Sequence, residues 1–184
     1  MLFDHRGRGS SEGDFTSLGY FETLDASAAV RYALSRAPAV PLALIGYSMG
    51  AAVAVMAAAR DERVKAIVSD SPFASERKLV KSLLKKRLDP MHGPVGALTE
   101  RLLPYDPGEV EPLEEVARIA PRAIMFIHGL RDRTCDPKDS VRLYEAAGEP
   151  KELWLLEEAG HCDAYFADRE GYCQRVADFF EKHL

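Results

Sequence analysis

The sequence predicts an α/β fold, a mostly parallel sheet with helices on both faces. Three observations lead there. Short apolar runs of β character alternate along the chain with longer stretches of helical period. The β runs are apolar nearly throughout instead of alternating with polar residues, which is the pattern of strands covered on both faces. Helical patterns separate most successive runs, so the strands connect by right-handed crossovers and lie parallel.

In chain order, Met1–Phe3 reads as a first β run and roughly Leu18–Arg36 as a helix. Leu42–Ile45 is the next strand, followed by the Gly46–Gly50 pentapeptide and an alanine-rich helix over Ser48–Arg60. The stretch from Ala39 to Ala59 carries no charge and is long enough to span a bilayer. Pro41 and the two glycines split it into a strand and a helix, so membrane insertion is not expected. Val64–Val68 is the third run. Ser71 to Pro121 is far longer than one crossover requires, and 71–121 reads as a small lid-like insertion in a single domain spanning 1–184. Within it, Leu79, Val80, Leu83, Leu84 and Leu88 recur at helical spacing, with Arg77, Lys78, Lys81, Lys85, Lys86 and Arg87 on the remaining faces. A basic amphipathic helix can lie on a membrane surface. The favoured reading lays its apolar stripe on the sheet and its charges in water. Ala123–Ile127, a helix over Lys138–Ala147, Leu153–Leu156 and a helix over Asp168–His183 complete the pattern.

Composition narrows the function. The 184 residues are 47% hydrophobic and 29% charged, ordinary for a globular chain and unlike a disordered or fibrous one. With 24 Lys+Arg against 29 Asp+Glu the net charge is −5, which argues against a nucleic-acid partner. Three cysteines, Cys135, Cys162 and Cys173, are too few for a disulfide framework. The histidines are scattered and no Cys-x-x-Cys is present, so no metal is expected. The glycines from Gly7 to Gly13 lack nucleotide-loop spacing, and no cofactor is expected. No signal-peptide pattern opens the chain; the compartment stays unknown, with the cytoplasm as default.

Gly46-Tyr47-Ser48-Met49-Gly50 carries the chemistry. At a strand-to-helix turn, G-x-S-x-G holds a serine hydroxyl free at the carboxyl edge of the sheet, and side chains at 46 or 50 are expected to clash. The Met49 N–H then sits at a helix N-terminus, ready to donate to an oxyanion. A serine hydroxyl needs a base oriented by a carboxylate. Asp132 follows the fourth run in His128-Gly129-Leu130-Arg131-Asp132, and His161 follows the last run in Ala159-Gly160-His161-Cys162. Asp136 is the runner-up acid. His5, His92 and His128 precede Asp132, and His183 lies in the terminal helix, so His161 is preferred as base. Because the acid and base loops must converge, Cys135 and Cys162 come within reach of a disulfide, although reduced thiols are the default.

These motifs resemble the α/β-hydrolase superfamily, particularly its bacterial esterase and acyl-peptidase-like members, over essentially the whole chain. Asp4-His5-Arg6-Gly7-Arg8-Gly9-Ser10 is similar to the loop after the family's fourth strand. Ser69-Asp70-Ser71-Pro72-Phe73 is similar to the end of the sixth. The order Ser48, Asp132, His161 is that of the family's catalytic triad. The resemblance implies a serine carboxylic-ester hydrolase working through an acyl-enzyme, with short-chain esters expected because the lid segment is short. The alternatives are a peptidase or amidase of the prolyl-oligopeptidase-like group, and a catalytically incomplete C-terminal module. Tyr47, Phe73, Leu130 and Cys162 are the expected pocket residues. Family members carry three strands and a helix before the point where this chain begins, and the third strand lies between the fourth and fifth. The chain therefore reads as N-terminally truncated, with an upstream domain in the full-length protein or Met1–Asp4 moved into the vacant slot. In that slot, a backbone N–H of His5 or Arg6 becomes the second oxyanion donor. A homodimer is a further way to fill the gap.

Overall fold

The computed structural model describes residues 1–88 and 91–184. Asp89 and Pro90, inside the stretch read as a lid, lie outside the described residues, as does the side chain of His92. Four parallel strands form one sheet in the order β1 (Leu42–Tyr47), β2 (Val64–Asp70), β3 (Ala123–Gly129), β4 (Lys151–Leu156). Their register places Ile45 beside Val68, Val68 beside Met125, and Ile127 beside Trp154.

Apolar runs along β2 and β3 follow from two covered faces. Ile67, Ile124 and Phe126 pack against α1 (Glu22–Arg36), α2 (Met49–Arg60) and α6 (Pro137–Ala146), through Val30, Ala54, Val55, Ala58 and Leu143. Ala66, Val68, Met125 and Ile127 point the other way, onto Tyr172 and Phe179 of α8 (Arg169–His183) and Ala164 of α7 (Ala164–Ala167). Each such fully buried Val, Ile or Phe stabilises the fold by about 1.5–3 kcal/mol. Alanine, the best helix former, fills α2, and Ala51 to Ala58 are all buried. A helix apolar all round belongs in a core, which is where α2 lies. Among the described residues, no helix is long and apolar enough to cross a membrane.

Three expectations need correction. Met1–Phe3 forms no strand; these residues are exposed and border a groove beside β1 without pairing to it. Among the described residues, the far edge of β1 therefore pairs with no strand, and Met1–Asp4 does not fill the slot. The first helix begins at Glu22 instead of Leu18, because Leu18 (φ 49°) and Gly19 (φ 136°) make a left-handed turn. Buried Glu22 seals that turn by accepting from Ser17 N at 2.8 Å and Gly19 N at 2.9 Å. The stripe of α3 (Glu76–Leu88) packs mainly on α4 (His92–Leu102) instead of the sheet, with Leu84 against Gly96. The rest of the insertion joins the core: Val110, Val116 and Ile119, around the short α5 (Pro112–Glu115), are fully buried.

Candidate active site

At the carboxyl edge, β1 passes into α2 through Ser48, whose backbone sits at φ 53°, ψ −119°. Non-glycine residues adopt this region only under tertiary constraint. The constraint is visible on either side. Ser48 N donates to Asp70 O at 2.8 Å. A Cβ on Gly46 meets the Gly50 carbonyl oxygen at 2.1 Å, so only glycine lets β1 and α2 approach this closely. Gly50, expected to be equally restricted, faces open space: a Cβ there meets nothing within 4 Å. Ser48 occupies the N-cap position of α2 without capping it through its side chain, which leaves Oγ available. The Met49 N–H lies in the first turn, where helix geometry provides no intrahelical acceptor.

Ser48 Oγ lies 2.9 Å from His161 Nε2, and His161 Nδ1 lies 2.6 Å from Asp132 Oδ2. Three loops at one sheet edge thus bring the residues together from across the chain. Gly129 permits the approach of the histidine loop, since a Cβ there meets the Ala159 carbonyl oxygen at 2.3 Å. The Asp132 carboxylate is enclosed. Its Oδ1 accepts from Thr134 N at 2.7 Å and Cys135 N at 3.0 Å. Its Oδ2 is also 3.1 Å from Nε2 of His128. Burial works to raise the Asp132 pKa, but the hydrogen bonds from His128, His161 and Thr134 outweigh it and hold the carboxyl well below the usual range. The Asp132 carboxylate in turn, followed by the Cys162 side chain, raises the His161 imidazole above its ordinary value.

Beside this chain sits a second buried carboxylate, Asp70 at the end of β2, which burial pushes upward in pKa. Ser71 Oγ donates to its Oδ1 at 2.9 Å and Tyr172 OH to its Oδ2 at 3.1 Å. Ser71 Oγ also accepts from Cys162 N at 3.1 Å, tying the residue after His161 to the end of β2.

The remaining sequence candidates divide. Asp136 is exposed and caps α6, accepting from Lys138 N at 3.0 Å, which accounts for it without a role on His161. Arg6 is not free to be an oxyanion donor: its backbone N–H donates to Asp25 Oδ2 at 3.1 Å and its guanidinium grips the same carboxylate at 2.6 Å. His5 borders the same groove as Ser48. This groove, about 510 Å³, runs along β1 between α1, Met1–Phe3 and the Ser48 turn, and Tyr47 lines it. Phe73 does not; it is fully buried with Met56, Tyr105 and Val110. Leu130 and Cys162 lie outside that groove. The three thiols are unbridged, so the Cys135–Cys162 disulfide does not form. Asp132, Cys135 and His161 bring ligand-type atoms within 4.8 Å of one another. The carboxylate already accepts four hydrogen bonds, however, and burial pushes the Cys135 thiol far up, so this set offers a cation no ready thiolate. His128, set aside in the sequence for preceding Asp132, proves to touch that carboxylate; the signal was its place beside Gly129 at a strand end.

A family model described as alpha/beta hydrolase fold matches residues 1–103, more than half of the chain. The uncharacterized protein YfhR of Escherichia coli (strain K12) is 29% identical over 97% of this chain and 59% of its own length. YqkD of Bacillus subtilis, also uncharacterized, is 28% identical over 98% of this chain and 61% of its own. The chain thus spans about three fifths of the curated relatives it matches. Among solved structures, the Pyrococcus furiosus esterase Pf2001 superposes with a TM-score of 0.78 at 24% identity, covering 98% of this chain and 69% of that one. The alpha/beta hydrolase GrgF from Penicillium superposes at 0.71 and 24%, covering 99% and 78%. By the family match and the shared fold, this chain belongs to the alpha/beta hydrolase fold family.

Proposed function

We propose that the chain is a serine hydrolase of short-chain carboxylic esters, with Ser48 as nucleophile, His161 as base and Asp132 as its acid partner. One observation carries the reading: the hydroxyl of a serine on a strained backbone turn caps nothing and lies 2.9 Å from an imidazole whose other nitrogen is held by a buried carboxylate. In the first step Ser48 Oγ attacks the ester carbonyl while His161 Nε2 takes its proton. Asp132 fixes the tautomer that leaves Nε2 free and stabilises the imidazolium that forms. His161 then protonates the departing alcohol, leaving an acyl-Ser48 ester. Water, deprotonated by the same imidazole, attacks that ester and releases the acid. The Met49 N–H stabilises the oxyanion at both stages. The apolar groove beginning at Ser48 is the candidate site for the acyl group.

The test is labelling with a fluorophosphonate, followed by turnover of p-nitrophenyl esters and amino-acid amides. The adduct should map to Ser48, esters should be preferred, and Ser48→Ala should lose both labelling and turnover. Removing the serine of a working triad, as in subtilisin, costs about a million-fold in kcat. A folded Ser48→Ala protein that keeps more than a few per cent of its activity refutes the assignment, and preferred amide turnover replaces esterase by peptidase.

A further inference from the structure

We infer that His128 is a second histidine on the acid of the triad: a positioning residue whose Nε2–H, oriented by Ser140, anchors Oδ2 of Asp132 and shares that oxygen with His161. The inference rests on the roles proposed above for Asp132 and His161.

Donor and acceptor pairing sets the tautomer. Oδ2 of Asp132 lies 2.6 Å from His161 Nδ1 and 3.1 Å from His128 Nε2, while Oδ1 takes two backbone N–H groups. An ionised carboxylate oxygen can only accept. A bare imidazole lone pair at 3.1 Å would repel it, so Nε2 of His128 carries the proton. In the neutral imidazole Nδ1 is then the acceptor, and the hydroxyl of Ser140, 2.6 Å away, is its donor. His128 and Ser140 are both fully buried, so no bulk water competes for these positions. The chain of contacts runs from Ser48 through His161, Asp132 and His128 to Ser140 on α6.

Sharing one oxygen has a consequence for the base. The His128 N–H directs the positive end of its dipole at the oxygen that must stabilise the His161 imidazolium. It therefore withdraws part of the charge on which His161 draws, and it fixes the carboxylate against rotation. Among the described residues, the ionisable groups nearest this cluster include Asp70 from β2, Asp139 on α6, Cys135 and Cys162 from the two loops, and Lys86 from α3; Tyr172 donates to Asp70, and Arg142 is paired to Asp139 at 2.9 Å on the half-exposed side of α6. The first four are acids. Lys86 is exposed and donates to Arg133 O at 2.8 Å, on the outside of the acid loop, so water screens its charge from Asp132. Among the described residues, removing His128 thus leaves His161 as the one donor on Oδ2. The base should then hold its proton to higher pH.

The test measures the acid limb of kcat/KM against pH for a short-chain p-nitrophenyl ester, with fluorophosphonate labelling of Ser48 as a second readout. His128→Gln keeps a donor near the Nε2 position, whereas His128→Asn and His128→Leu do not. The glutamine variant should stay close to the parent. The asparagine and leucine variants should move the acid limb to higher pH by about half a unit or more, the scale of one lost buried hydrogen bond. Ser140→Ala should move it the same way by less. Unfolding midpoints accompany each variant. A folded leucine or asparagine variant whose acid limb is unmoved, whatever its loss of rate or stability, overturns the inference. So does asparagine rescuing where glutamine fails. If the leucine variant does not fold, the glutamine, asparagine and Ser140→Ala proteins decide by the same criterion. A parent protein that never labels at Ser48 overturns the proposed function first, and the roles resting on it; normal labelling with an unmoved acid limb overturns this inference alone.

Discussion

Replacing Glu76 by glutamine should make the protein more stable at alkaline pH and change little in mild acid. Glu76 opens α3 with 1% of its surface exposed. Its Oε1 accepts from Tyr105 OH at 2.8 Å, while Oε2 is buried with no hydrogen-bond partner among the described residues. Burial pushes its carboxyl from the ordinary 4.5 up to about 7, against the pull of the Tyr105 hydroxyl; Glu22 and Glu111 add to the rise. Between those two values the folded chain holds a proton that the unfolded chain has released, so stability falls as pH rises through that window. Applied to these values, linkage gives a loss of between about 2 and 3 kcal/mol from pH 5 to pH 8. Glutamine keeps the acceptor for Tyr105 and cannot ionise. Urea unfolding of both proteins at pH 5, 6, 7 and 8 supplies the assay, because every other titrating group cancels in the difference. The advantage of Glu76→Gln should grow steadily with pH. Two stability curves that stay parallel within about half a kcal/mol, roughly the extrapolation error, would refute the reasoning.

Two further contrasts probe the site. Gly46→Ala should distort the elbow and abolish Ser48 labelling, since its Cβ lands 2.1 Å from a backbone oxygen, whereas Gly50→Ala should fold normally and still label. Circular dichroism and fluorophosphonate labelling of the pair check this; equal behaviour contradicts the steric account. Asp132→Asn should cost on the order of 10⁴ in kcat by favouring the wrong histidine tautomer. Asp136→Asn should keep both activity and the helix cap, because asparagine caps as well as aspartate, and steady-state kinetics on the two variants decides between the acids.

Much of what depends on local pattern was legible in the sequence alone. Apolar runs such as Val64–Val68 and Ala123–Ile127 mark strands covered on both faces, because a solvated face would need alternating polar residues. Gly46–Gly50 at a strand-to-helix junction marks the elbow, and the order Ser48, Asp132, His161 marks the three loops that converge, because parallel strands deliver their carboxyl ends to one edge. Met1–Phe3 shows the limit of such reading: three apolar residues carry strand propensity, but a strand exists only where a neighbour offers hydrogen bonds, and nothing in three letters says whether one does. The same limit applies to Gly50, whose motif position looks restricted while the space around it is open. It applies to Arg6, whose backbone N–H is taken by Asp25 from a helix nineteen positions along the chain. His128 is the clearest case. In the sequence it is one histidine among five. Its place beside Gly129 hints at the acid loop, but its contact with Asp132 is seen when a β3 side chain, the loop after it and Ser140 on α6 are folded around one carboxylate. Donor and acceptor pairing across the chain is a property of three-dimensional proximity, and residue type alone does not encode it.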